Sequence, residues 1–128
     1  MLTFRNVLAL GVFLFGTTFL WLTPSFVGKS ATGAVWAVTQ ILAIAAILGF
    51  TVAAWGIFKA TGWWEPILIV SAIVGIASVV PYWVGIQSVP DAVNAAAIEN
   101  TVGHVIGALV VIAVLFIHPA EHWVVGKL

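Results

Sequence analysis

The chain has 128 residues, 63% hydrophobic and 6% charged, with four Lys/Arg balanced by four Asp/Glu. A soluble domain carries about 25% charged residues, so this inventory does not make a water-facing surface and reads as an all-α integral membrane protein. Zero formal charge argues against nucleic acid, and the lack of cysteine excludes disulfides, thiolate metal sites and cysteine catalysis.

Arg5 leads into a first apolar segment, about residues 6–22. Such a start also describes a signal peptide, but the Trp21-Leu-Thr-Pro24 run offers no small-x-small cleavage site, and the segment reads as a span. A Ser-, Thr- and Gly-rich loop from Pro24 to Gly33, carrying Lys29, precedes a second segment over about 34–58. That length crosses roughly 30 Å of hydrocarbon with some tilt. Lys59 and Gly62 end it, and Glu65 with Pro66 opens a third segment over about 66–86, so the connection is a tight turn. Pro81 predicts a kink or an early finish there. Ser88, Pro90 and Asp91 read as a helix start, giving a short interfacial helical extension over about 90–97. The fourth span follows over about 97–117, stopped by His118-Pro119 and trailed by a short polar tail, Ala120 to Leu128.

Four apolar segments with short connections predict a single domain of four transmembrane helices in an up-down antiparallel bundle. Arg5, Lys59 and Lys127 then share a side against Lys29 alone, which places both termini in the cytoplasm. Trp21, Trp36, Tyr82 and Trp83 fall at the expected outer interface, and Trp63, Trp64 and Trp123 at the inner one, with Trp55 just within it.

On that topology the hydrogen-bonding side chains gather in the outer leaflet. Thr17 and Thr18 come from the first span, Thr39 and Gln40 from the second, and Ser78 and Tyr82 from the third. The fourth brings Asn100, Thr101 and His104, with Asn100, His104, Gly107 and Val111 on one helical face. Polar groups in hydrocarbon either bond across helices or serve a function, so these residues form the expected outward-facing pocket: His104, Asn100, Gln40, Tyr82, Thr17, Thr18, Thr39 and Ser78. The Ser and Thr hydroxyls have the simpler alternative of bonding to their own helix backbone.

Gly103 and Gly107 match the close-packing motif of membrane helices, echoed by Ala45, Gly49 and Ala53 and by Ser71 and Gly75. His118 and His122 are i, i+4 and form a weak metal pair, because Pro119 between them makes a continued helix doubtful. No metal and no cofactor is expected; haem would need a second histidine facing His104. In size the chain resembles the small multidrug transporters, a family that relies on an acidic residue in its first span, and here that span has none. No nucleophile–base set and no phosphate loop is present, so an enzyme is not expected.

The reading that remains is a small non-catalytic membrane protein, a homo-oligomer or an accessory subunit of a larger membrane complex. Its alternative is a binder or carrier whose outward pocket takes a quinone, a lipid or an amphipathic amine. A haem- or pigment-binding subunit using His104 comes third.

Overall fold

A computed structural model describes residues 2–23 and 33–128. Its long helices are α1 (Phe4–Thr17, continued by a 3-10 stretch, Thr18–Leu22), α2 (Ala34–Phe58), α3 (Trp64–Ile86) and α4 (Ala95–Phe116). A short α5 (His118–Val125) follows, and no strand occurs among the described residues. The four long helices are long and apolar enough to cross a membrane. The loop expected from Pro24 to Gly33 lies outside the described residues apart from Gly33.

Apolar side chains surround α2 and α3 on all sides, so hydrophobicity alone gives neither helix an inner face. Contact with the neighbours does. On α2 the buried positions include the series Trp36, Thr39, Ala43, Ala46, Phe50, Ala53 and Ile57, in alternating three- and four-residue steps, widened by Ala54 and Gly56. On α3 the series is Trp64, Leu68, Ser71, Gly75, Ser78, Tyr82 and Gly85, with the same alternation, widened by Ala72, Val79 and Ile86. A 3.5-residue repeat is the seam of coiled-coil packing, in which side chains of one helix enter gaps on the other. Here the gaps come from small residues. A Cβ on Gly49 would fall on the Ser71 hydroxyl and 3.0 Å from the Ser71 Cβ, so α2 and α3 approach almost backbone to backbone. Such an approach brings close van der Waals contact between the two helices.

The turn between α2 and α3 closes with a Schellman motif. The Ala60 amide donates to the Ile57 carbonyl and the Thr61 amide to the Gly56 carbonyl, both at 3.0 Å. Gly62 was the expected helix stop, but the left-handed position belongs to Ala60, at φ 55°.

Three expectations need correction. The helical extension over 90–97 is absent. Asp91 is left-handed at φ 58°, and α4 starts at Ala95, where the Asn94 side chain accepts from the Ala97 amide at 2.9 Å. Pro81 neither ends nor shortens α3, which runs through it to Ile86. The tail after His118 is helix α5, because Pro119 occupies its first turn, where a missing N–H costs nothing.

Phe15, Phe19 and Phe50 join α1 to α2, with ring centroids 5.3–5.7 Å apart. Helix α4 is the lightly seated member, with 11% of its span window buried against 33–39% for the others. Its inward stripe is Ala97, Thr101, His104, Ala108, Val111 and Leu115, all buried or half-buried. Of the face expected from Asn100, His104, Gly107 and Val111, the last three are half-buried on the inward side, and Asn100 is exposed.

Candidate functional site

The polar residues of the four helices do not merge into one pocket. Most hydroxyls turn back on their own helix: Thr17 donates to the Leu14 carbonyl, Thr39 to Val35, Ser71 to Ile67 and Ser78 to Gly75, at 2.6–2.9 Å. Thr39 and Ser78 are fully buried in the α2–α3 seam. Gln40 is half-buried on α2 and lies outside the cleft described below.

His104 makes the junction between α4 and α1. Its Nδ1 lies 2.6 Å from the Asn100 carbonyl one turn earlier, and its Nε2 lies 2.8 Å from the Thr18 hydroxyl on the 3-10 stretch. Phe15, Phe19 and Trp21 enclose the ring, with centroids at 6.1, 4.9 and 5.2 Å. Proton accounting constrains this junction. A carbonyl only accepts, so Nδ1 must carry a hydrogen. Thr18 also sits 2.5 Å from the Phe15 carbonyl, and its single hydroxyl hydrogen cannot serve both that oxygen and Nε2. With the Nδ1 hydrogen given to the Asn100 carbonyl, the Thr18 hydroxyl hydrogen serves either Nε2 or the Phe15 carbonyl. A second bond joins α3 to α4 nearby, from Trp83 Nε1 to the Thr101 hydroxyl at 2.8 Å.

Beside the junction opens a cleft of about 260 Å3, lined by Trp21, Tyr82, Pro90, Asp91, Asn94 and Asn100 among others. Trp21 and Tyr82 form one wall in edge contact at 4.5 Å, and Trp36 backs Tyr82 at 6.1 Å. These aromatics were expected at a lipid interface; Trp36 and Tyr82 are instead 3% and 4% exposed and pack into the bundle end. The Tyr82 hydroxyl, though its ring is buried, bonds to no group among the described residues. The Trp21 Nε1 next to it is buried without an acceptor. Asn94 is committed as the helix cap and Asn100 donates to the Ala96 carbonyl, which leaves the Asn100 amide oxygen and the Asp91 carboxylate as acceptors among the lining residues. The cleft thus offers a phenol and two acceptors, on a volume just below the usual 300–1,000 Å3 of small-molecule sites.

Of the pocket expected from sequence, Tyr82 and Asn100 meet in this cleft, while His104 and Thr18 lie behind Trp21. Thr17, Thr39, Ser78 and Gln40 take no part in it. Trp21, Asp91 and Trp83 enter unforeseen. Nothing in the local sequence marks Trp21, since an interfacial tryptophan needs no polar partner. Of the expected packing residues, Gly49, Ala53, Ser71 and Gly75 lie buried or half-buried between helices, and Gly107 stands against the Phe15 ring. Ala45 is exposed, and Gly103 has no atom within 4 Å of where its Cβ would be. His118 and His122 sit on α5 at the opposite end, where Phe4 meets Trp123 at 5.8 Å.

No protein-family model, curated protein or solved structure matches the chain.

Proposed function

We propose that this is a multi-pass membrane protein with its four long helices inserted as an up-down antiparallel bundle, binding the polar head of a small lipid-soluble ligand in the cleft at its outer end. Supporting the antiparallel course, Gly85 stands against Trp36, Ser71 against Gly49 and Trp64 against Gly56, positions that descend on α3 as they ascend on α2. The orientation rests on the count of cations in the sequence, Arg5, Lys59 and Lys127 on the side of the termini against one in the first connection, which would put both termini in the cytoplasm and the cleft on the other face.

The observation that carries the binding reading is Tyr82. A phenol held among buried aromatics usually finds a hydrogen-bond partner, and this hydroxyl has none among the described residues while facing a cleft. The ring is buried but the hydroxyl opens to the cleft, so a ligand head group there would replace water as its partner. Acceptors among the lining residues favour a head group that both donates and accepts, within the class of quinols, lipid head groups and amphipathic amines.

The test is a titration of purified protein with three probes, a short-chain ubiquinol, a short-chain phosphatidylethanolamine and dodecylamine, followed by tryptophan fluorescence. Binding of at least one probe, weakened about 5- to 10-fold by Tyr82→Phe, is expected for the loss of one hydrogen bond of about 1–1.4 kcal/mol. If no probe binds and the protein instead co-purifies with a stoichiometric partner chain or as a stable homo-oligomer, the accessory-subunit reading takes its place.

A further inference from the structure

The second cluster lies at the other end of the molecule and is independent of the cleft. Because α5 begins at His118 with Pro119 in its first turn, the residues at i, i+3 and i+4 share one helical face. The donor atoms of His118, Glu121 and His122 all lie within 4.8 Å of one another. His118 Nδ1 is 3.3 Å from Glu121 Oε2, and the two imidazoles stack at 5.7 Å. A tetrahedral ion with bonds of about 2.0–2.1 Å holds its donors roughly 3.3–3.4 Å apart, so one pair is already at the spacing and the third ligand needs only a rotamer adjustment.

The cations at this end are turned elsewhere. Lys59 lies over Trp55 and Phe58, Lys127 over Trp123, and the Arg5 guanidinium donates to the Leu128 carbonyl. One carboxylate and two imidazoles therefore converge on one face of α5, and the only ion pair among the described residues is the one between His118 and Glu121.

We propose that His118, Glu121 and His122 form a site for a first-row divalent cation of the Zn2+ class. Mixed imidazole and carboxylate donors suit Zn2+, Ni2+ or Cu2+ and are poor for Mg2+ or Ca2+, which take oxygen ligands. All three donors are exposed or half-exposed, so the ion enters without unfolding.

The test is calorimetric titration of full-length, tag-free protein with ZnCl2, and with MgCl2 as the hard-cation control. Saturable one-to-one Zn2+ binding is expected, with no Mg2+ response. His118→Ala and His122→Ala should each weaken it at least tenfold, while circular dichroism stays unchanged. Titration at acidic pH should abolish it, since ligation needs unprotonated imidazoles. Absence of saturable binding to the wild-type protein, equal binding by the His118→Ala/His122→Ala double variant, or equal response to Mg2+ would overturn the proposal.

Discussion

The contact between His104 and Thr18 is the place where cross-helix bonding can be weighed most directly. Thr18→Val keeps the side-chain shape and removes the hydroxyl that lies 2.8 Å from Nε2. His104→Ala removes the same contact together with the stacking on Phe15, Phe19 and Trp21. Taken singly the two variants mix several losses; the double-mutant cycle isolates the bond. Cross-helix bonds in membranes average about 0.6 kcal/mol and reach about 1.7, which corresponds to roughly 3- to 18-fold in the folding equilibrium. The distance is short and the site partly enclosed, but the hydroxyl hydrogen is contested by the Phe15 carbonyl at 2.5 Å, so the lower half of that range is expected. The assay is reversible unfolding in mixed detergent micelles at increasing SDS fraction, read by circular dichroism for the wild type, both singles and the double. A coupling below ~0.3 kcal/mol, the scatter of residues that do not touch, would refute the junction.

Three further outcomes follow from the packing. Gly49→Ala should destabilise by about 1–3 kcal/mol through overpacking against Ser71, and adding Ser71→Gly should recover most of it, because the next atom met is the backbone Cα at 3.6 Å. No recovery in the same unfolding assay would mean that α2 and α3 do not meet there. Gly107→Ala should cost stability against the Phe15 ring, whereas Gly103→Ala, with open space around it, should be neutral or stabilising by up to about 1 kcal/mol from helix propensity. A reversed order, read as SDS midpoints, would contradict the seating of α4. Ala60→Gly should stabilise by roughly 0.5–1 kcal/mol, the left-handed cost of about 1–2 less the added freedom of the unfolded chain, and a lower midpoint would count against the Schellman turn.

The helices were legible because each is a long apolar run, and apolar runs are what composition and length detect. Their inner faces were not. On α2 the sequence motif Ala45, Gly49, Ala53 follows four-residue steps, while the seam follows Thr39, Ala43, Ala46, Phe50 and Ala53 in alternating steps. Apolar side chains make hydrophobicity the same all round these helices, and only the size of side chains separates the faces. Tyr82 and Asn100 were visible as polar groups at one depth, but whether a hydroxyl bonds to its own carbonyl or to a neighbour depends on rotamers that spacing does not set. Pro119 misled for another reason: a proline that blocks one helix is well suited to begin the next.

The light seating of α4 has a kinetic meaning. The wall of the cleft that carries Asn94, Ala97 and Asn100 belongs to α4 and its cap, whereas the wall that carries Tyr82 belongs to α3. Admitting a ligand does not require the α2–α3 seam to loosen. A swing of the first turns of α4 would widen the cleft, straining the His104–Thr18 contact and the Trp83–Thr101 bond and leaving the aromatic core of α1 and α2 in place. Local openings of this kind draw on a small part of the total stability and run on microsecond-to-millisecond times. On the proposed binding role, the cleft would exchange its occupant many times within one lifetime of the fold, with α4 as the moving jaw and α3 as the fixed one.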